Sequence, residues 1–322
     1  MLRRPRRNRK NFAIRSLVQE TTLLKSDLVA PFFVIEGKQK KEHLPQLTGC
    51  FQFSIDLLLE EAKKLHAQGL QAIALFPVID KAKKNDLGSY ALENDNLIIR
   101  AIQEIKAAVP TLCIISDIAL DPYTSHGHDG VINESQDVAN DKTVEILAQM
   151  SILHAKAGVD MVAPSDMMDG RIQKIRESLD SENFQDVSIL SYAAKYTSSL
   201  YAPYRDTLSS HVTFGSKKSY QMNPANQREA LLEAFLDEQE GADILMVKPA
   251  LFYLDVIAKI RMATNLPICA FHVSGEYAMV MAAEEKGLLI SKDVFYEALL
   301  SIKRAGADFI ISYATPIILP IL

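Results

Sequence analysis

The chain has no tryptophan and only three cysteines, Cys50, Cys113 and Cys269. Three scattered thiols, odd in number and without a Cys-x-x-Cys pair, exclude a disulfide framework and a cysteine metal knuckle. Long apolar runs are missing as well. None approaches the roughly 18 residues that a membrane-spanning helix needs, so no membrane association is expected. The basic N-terminus lacks the apolar stretch of a secretory signal, and a reduced, cytoplasmic compartment is the expectation. There is no excess of positive charge: the net charge of −5 argues against a nucleic-acid partner. An early glycine-rich phosphate turn, the usual mark of an open doubly wound sheet, is also absent.

What is present is the composition of an ordinary soluble protein, with 48% hydrophobic and 23% charged residues. The length of 322 residues suits one (β/α) barrel as a single domain. One punctuation mark recurs, at Gln68-Gly-Leu-Gln71, Ala157-Gly-Val-Asp160, Glu240-Gly-Ala-Asp243 and Ala305-Gly-Ala-Asp308. Each follows a helical pattern and precedes a short apolar run. Glycine just past a helix takes the left-handed conformation that caps it, and the next strand of a repeated βα unit then starts within a few residues.

Reading outward from these marks gives eight strands: Leu28–Ile35, Ala72–Ile79, Leu112–Ile118, Met161–Pro164, Val187–Tyr192, Ile244–Val247, Ile268–Val273 and Phe309–Tyr313. Most are continuous rather than alternating apolar runs, which marks strands buried on both faces of a parallel sheet. Amphipathic helices lie between them, among them Asp56–Gln68, Asn140–Ala157, Asn226–Glu240, Leu254–Ala263 and Lys292–Arg304. Asn140 and Ser291 read as N-caps. The expected fold is an α/β (β/α)8 TIM barrel spanning 28–322, with a doubly wound open sheet as the runner-up. Residues 1–27 form a basic arm, either a loose tail or a segment that docks on a neighbouring subunit. Residues 196–222 are too long for a plain loop and read as an active-site lid.

Two lysines each end an apolar run: Lys195 in Ser188-Ile-Leu-Ser-Tyr-Ala-Ala-Lys195 and Lys248 in Ile244-Leu-Met-Val-Lys248. Desolvation at the mouth of a buried strand opposes the charge of an ammonium and lowers its pKa. The neutral amine is the form that attacks a carbonyl carbon. One such lysine points to Schiff-base chemistry; two, with no acidic partner evident in sequence, point to the joining of two carbonyl substrates. In a TIM barrel the site lies at the C-terminal ends of the strands. Asp117, Ser165, Asp166, Tyr192, His272, Ser274, Gly275, Glu276, Ser312 and Tyr313 gather there too. Segment Ser116–Gly130 holds Asp121, His126, His128 and Asp129, which read either as donors to a divalent ion, carboxylates favouring Mg²⁺ over Zn²⁺, or as side chains that bond local backbone in a tight turn. Arg205, Lys217 and Lys218 in the lid read either as a solvated charge group or as clamps for a substrate carboxylate, with Phe214, Tyr201 and Tyr220 as apolar cover. Glu229, Glu233, Asp237 and Glu240 share a stripe of one helix, read as a solvent face or an outer-sphere Mg²⁺ site.

Several segments together resemble the porphobilinogen synthase, or 5-aminolevulinate dehydratase, family. They are Asp117-Ile-Ala-Leu-Asp-Pro-Tyr-Thr-Ser-His-Gly-His-Asp-Gly130, Ala163-Pro-Ser-Asp-Met-Met-Asp-Gly-Arg171, Ser191-Tyr-Ala-Ala-Lys-Tyr196, Tyr220-Gln-Met-Asn-Pro-Ala-Asn226, Met246-Val-Lys-Pro249, Val273-Ser-Gly-Glu-Tyr277 and Lys303-Arg-Ala-Gly-Ala-Asp308. They run in family order over nearly the whole chain, and the arm carries the R-x-R-R-x-R pattern at Arg4–Arg9. The resemblance implies a TIM barrel that condenses two molecules of 5-aminolevulinate to porphobilinogen, with loss of two waters, in tetrapyrrole synthesis. By position Lys248 matches the lysine for the first substrate and Lys195 that for the second. Arg205, Lys217 and Gln221 match the groups that hold the second substrate's carboxylate, and Ser274 and Tyr313 those that hold the first. Asp117 and Ser165 are candidates for positioning and proton transfer.

The metal segment departs from one branch of that family. Zinc-type members carry three cysteines where this chain has Ala119, Asp121 and Asp129, so a zinc held by three thiolates is excluded. The Asp-type branch implies Mg²⁺, with room for a monovalent cation at Asp121 and Asp129. Glu233 matches an allosteric Mg²⁺ ligand at a subunit contact, and the family's assembly is a homo-octamer in which arms embrace neighbouring barrels. The alternatives are a class I aldolase-type lyase, which needs only one lysine, and a non-catalytic scaffold whose basic arm binds an acidic partner. The apolar tail Ile317-Ile-Leu-Pro-Ile-Leu322 packs either on the barrel or on a neighbour.

Overall fold

The computed structural model describes residues 2–208, 210 and 212–322. Ten strands form one sheet: β1 Leu28–Ile35, β2 Lys41–His43, β3 Phe51–Ser54, β4 Ala72–Pro77, β5 Cys113–Ile118, β6 Met161–Pro164, β7 Ser188–Lys195, β8 Ile244–Lys248, β9 Ile268–His272 and β10 Phe309–Ser312. Eight of them, β1 and β4 to β10, are parallel neighbours in chain order. Pairing of Leu28 and Val29 with Ile310 and Ile311 closes the ring. This is the (β/α)8 barrel expected from the sequence. The β2–β3 hairpin is an addition the apolar runs did not mark. It lies beside the second half of β1, where Phe33 pairs with Gln52.

The helices are α1 Phe12–Leu17, α2 Ile55–Ala67, α3 Leu97–Ala108, α4 Asn140–Ala157, α5 Arg171–Ser181, α6 Ala202–Leu208, α7 Arg228–Gln239, α8 Leu254–Ala263, α9 Ser274–Glu285, α10 Ser291–Ala305 and α11 Thr315–Ile318. Among the described residues, no helix is long and apolar enough to cross a membrane.

The four recurring glycines behave as their sequence context demands: Gly69, Gly158, Gly241 and Gly306 all have φ between +97° and +121°. The aspartate two residues after three of them has a further job. The carboxylates of Asp160, Asp243 and Asp308 accept the N–H groups of Ile114, Ile189 and Ile268, each at 2.7 Å. Each therefore pins the start of the strand preceding its own, β5, β7 or β9, and sets register at the lower rim of the barrel.

Two caps expected from the sequence are placed differently. Asn140 is the first helical residue of α4, not its N-cap, which is Ala139. Its side chain is taken by the α5 approach, exchanging hydrogen bonds of 2.8 and 3.0 Å with the backbone of Asp169. Ser291 likewise lies inside α10, where the N-cap is Ile290 and the Ser291 N–H donates to Glu284 at 2.8 Å. The apolar tail packs on its own barrel. Ile318 and Leu319 are fully buried, and the Thr315 hydroxyl donates to the Val29 carbonyl at 3.1 Å. The arm contains two short helical pieces, Pro5–Arg9 and Phe12–Leu17, with no buried residue.

Helix α7 is turned about relative to its expected orientation. Its acids do not form a solvent face: Asp237 is buried, whereas Leu232, Phe235 and Leu236 are exposed. Asp237 faces Arg171, the largest fully buried side chain of the protein. The guanidinium reaches both Asp237 oxygens at 3.3 Å, the Met168 carbonyl at 3.1 Å and the Tyr192 carbonyl at 3.3 Å. Asp166 lies 3.7 Å away on the other side. Substituting Arg171 by Met leaves two buried carboxylates without a cation, and is expected to cost about 3–5 kcal/mol. Chemical denaturation of the variant checks this; an unfolding midpoint equal to that of the unaltered protein would refute the pairing.

Candidate active site

Lys195 and Lys248 end adjacent strands and are direct register partners. In a parallel ladder, paired residues point to the same face, so the two amines enter one site. Both residues are buried, at 7% and 6% exposure. Strand β7 runs three residues beyond the expected end at Tyr192, through Ala193 and Ala194 with a register shift, and so carries Lys195 into the ladder. The small alanines hid this extension from an apolar-run reading.

The two amines stand in different surroundings. Lys248 Nζ is enclosed by rings, 4.3 Å from the centroid of Phe271 and 5.1–5.3 Å from those of Tyr192, Tyr201 and Tyr204. Burial and then the charge of Lys195 push its pKa down to about 7, against the pull of Asp117, Asp121 and Asp129. Lys195 has hard partners. Its ammonium donates to the Ser165 carbonyl and lies 3.3 Å from Asp129 Oδ2. The acidic partner that was not evident in sequence is thus Asp129, which is 66 residues away along the chain.

Asp117, Asp121 and Asp129 converge on the lysines. Burial, with the charge of Asp121, pushes the Asp117 carboxyl up to about 7, although Ser165 hydrogen-bonds it and both lysines oppose the shift. Asp129 is equally buried, but Lys195 and Lys217 outweigh burial and hold it at about 2. Lys217 Nζ lies 2.6 Å from Asp129 Oδ1 and 3.5 Å from Asp121 Oδ2. Gln221 Nε2 donates to Asp129 Oδ2 at 3.3 Å. The lid lysine therefore sits between the two aspartates that the sequence offered as cation ligands. Among the described residues, no group of three or more His, Cys, Asp or Glu is arranged to hold a metal ion.

The remaining expected residues divide between contact with this centre and support of it. Tyr201 donates its hydroxyl to the Lys248 carbonyl at 3.1 Å. Ser274 donates to the Leu200 carbonyl at 3.2 Å, at the base of the lid. Tyr313 stacks on Phe33 at 6.0 Å. Phe214 packs on His128 with centroids 5.2 Å apart. His128 also bridges the Phe214 carbonyl at 3.0 Å and the Tyr220 hydroxyl at 3.1 Å, so the His-Gly-His segment grips the lid. Arg205 stacks over Tyr201 at 5.7 Å and, with Lys217, Lys218 and Gln221, lines a cavity of about 590 Å³. Among the described residues, the buried polar atoms without a partner include Asp117 Oδ1, Gln221 Oε1 and the Tyr313 hydroxyl. Groups left unpaired at a site are those a polar ligand satisfies.

Glu233 is not at this centre. It borders a cavity of about 410 Å³ with Asp137, Asn140, Asp169 and Glu229, which shares Lys218, Gln221 and Asn223 with the first. Burial and then its acidic neighbours push its carboxyl up to about 7, opposed by Arg171. Sequence reading missed Arg171, which ties β7 to α7, and Tyr204, which closes the Lys248 cage. Neither has a local signal, because each acts through contacts made by the fold.

The comparisons with known proteins agree with this geometry. The family model described as delta-aminolevulinic acid dehydratase matches residues 2–321. A delta-aminolevulinic acid dehydratase of Chlamydia pneumoniae is 57% identical over 99% of this chain and 96% of its own length. A chloroplastic one from Physcomitrium patens is 49% identical over 96% of this chain and 72% of its own. The crystal structure of delta-aminolevulinic acid dehydratase (porphobilinogen synthase) from Toxoplasma gondii ME49, in complex with the reaction product porphobilinogen, superposes with a TM-score of 0.98. It is 48% identical, and the match covers 100% of this chain and 92% of that one. On the family match over nearly its full length and on these identities, the chain belongs to the delta-aminolevulinic acid dehydratase family.

Proposed function

We propose that this chain is a porphobilinogen synthase. It condenses two molecules of 5-aminolevulinate to porphobilinogen with loss of two waters, through Schiff bases on Lys248 and Lys195. The observation that carries the reading is the in-register pairing of these two buried lysines. An aldolase-type lyase needs one amine and gives no reason for the second.

The surroundings support separate roles. Lys248, held near neutrality by its ring cage, attacks the first ketone; loss of water gives an imine, whose protonated form is an electron sink for bond formation at the adjacent carbon. Asp117 is held in the range where it both accepts and returns a proton, and Ser165 orients it. Ser274 and Tyr313 take the first substrate's carboxylate. Lys195 forms the second imine. Arg205, Lys217 and Gln221 meet the second carboxylate beneath the lid, 196–222, with Phe214 and Tyr201 as its cover. Asp121 and Asp129 are then not metal ligands but anionic partners of lysines, since the ammonium of Lys217 supplies the positive charge between them. That donor set does not fit a resident cation.

Glu233 is the candidate Mg²⁺ ligand that remains. It lines an oxygen-rich cavity with Asp169 and Glu229, and Mg²⁺ commonly uses one or two carboxylates and keeps several waters. In this reading the ion is allosteric and lies at a contact between copies. The exposed Leu232, Phe235 and Leu236 of α7 and Phe12 and Leu17 of the arm are the apolar surfaces such an assembly, a homo-octamer, would cover.

Borohydride reduction with 5-aminolevulinate, followed by peptide mass analysis, is expected to label both lysines. Lys248→Ala and Lys195→Ala are each expected to lower kcat by roughly three orders of magnitude or more. No label at Lys248, or condensation that survives Lys195→Ala, would falsify the two-imine mechanism. The pH dependence has a definite sign. Above its pKa Lys248 is a neutral nucleophile, and below it the ammonium is inert, so imine formation at Lys248 rises with pH and is half-maximal near pH 7. An ordinary lysine is neutral there to only about one part in three thousand. A midpoint near that of a free lysine would show that the cage does not depress the amine. Treatment with a chelator is expected to lower activity, Mg²⁺ to restore it, and Glu233→Gln to abolish the response. Rescue by zinc alone would overturn the metal assignment.

A further inference from the structure

We infer that Glu276 is the positioning residue of the first-substrate pocket, a single buried carboxylate that holds the turn after Lys248 to the turn that carries Ser274. The inference rests on the assignment of Lys248 and Ser274 to the first substrate made above.

Glu276 is fully buried near the start of α9. Its two oxygens serve two different loops. Oε2 accepts the Val273 N–H at 2.7 Å, which caps the first turn of α9. Oε1 accepts the Leu251 N–H at 2.6 Å, from the turn that follows Lys248-Pro249. Ala250 and Phe252 of the same turn also hydrogen-bond the carboxylate through their backbones. A helix-capping role explains the first oxygen but not the second. Capping needs no reach to a different strand's loop, and a carboxylate taken wholly out of water costs several kcal/mol unless its acceptors are filled.

What the second oxygen achieves is visible in the positions of the reacting groups. The turn it grips follows directly on Lys248, whose own carbonyl is fixed by the Tyr196 N–H at 2.9 Å and the Tyr201 hydroxyl at 3.1 Å. The Lys248 backbone is thus held from the lid side at its carbonyl and from the α9 side within three residues. The α9 turn is itself pressed against the lid base: a Cβ on Gly275 would come within 2.6 Å of the Leu200 carbonyl, which already accepts the Ser274 hydroxyl. The imine lysine ends β8 and the carboxylate-binding serine opens α9, just after β9, and Glu276 fixes their spacing. Near-attack geometry tolerates little error, and a displacement of about 1 Å costs up to roughly 100-fold in rate.

Two variants of the full-length, assembled enzyme test the inference. Glu276→Gln keeps the volume but turns one acceptor into a donor facing a backbone N–H. Glu276→Asp keeps the charge but is one methylene too short to hold both the Val273 and the Leu251 N–H. Each is treated with limiting 5-aminolevulinate and borohydride, and label at Lys248 and Lys195 is read separately, beside kcat, KM and the thermal midpoint. The expected result is a roughly 10- to 100-fold loss of label at Lys248, with label at Lys195 and the thermal midpoint near those of the unaltered enzyme. If Lys248 labels in the unaltered enzyme and equally in both variants, the inference fails. If both lysines lose label together in step with a lowered midpoint, or neither variant folds, Glu276 is a brace for the whole barrel and the assignment to one pocket is overturned. If the unaltered enzyme itself leaves Lys248 unlabelled, the reading of the site has failed instead.

Discussion

Everything at the mouth of this barrel follows from burying several ammonium groups where water cannot reach them. Desolvation of an unpaired amine is so costly that the group loses its proton instead. At Lys248 the protein lets that happen: aromatic faces surround the nitrogen, the charge of Lys195 adds to the penalty, and the pKa falls to about 7. Lys195 and Lys217 instead have carboxylates within 2.6–3.5 Å. Asp117, driven upward into the same range as Lys248, completes a set in which buried acids and bases balance one another. The scaffold achieves this by strand register, since Lys195 opposite Lys248 is a statement about backbone pairing before it is one about chemistry.

The lower rim of the barrel is built by a separate device and carries a separate burden. Asp160, Asp243 and Asp308 fasten neighbouring strands at their entry ends, and glycine caps bring the chain back to each start. Buried ties such as Arg171 to Asp237 add further cross-links between elements. The upper rim is thereby free to hold unpaired polar atoms, which are a liability to folding but an asset to binding.

The barrel was legible in the sequence because its signals are local. Continuous apolar runs mark strands buried on both faces, and glycines past helix ends mark where the chain turns. The two lysines were legible for the same reason: charge at the end of an apolar run is conspicuous. What escaped was set by distance along the chain. Asp129 meets Lys195 across 66 residues. Asn140 has the right chemistry for a cap, but tertiary structure claims its side chain for Asp169. The acids on α7 share a stripe as expected, yet the partner that buries Asp237 is Arg171, on another helix. The β2–β3 hairpin is short, with β2 wholly exposed, so no apolar run announced it. Periodicity reports what a segment buries, not which neighbour it buries it against.

The ammonium of Lys217 lodged between Asp121 and Asp129 has a consequence for toxicity. A centre whose positive charge is carried by a side chain cannot lose it to a chelator or exchange it for another ion. It also offers no thiolate to a soft, thiophilic metal, because the cysteines lie elsewhere, with burial pushing Cys113 up to about 11 and Cys50 up to about 12. A soft ion would therefore meet no thiolate at Asp121, Asp129 and Lys217, where the sequence had offered a cation site.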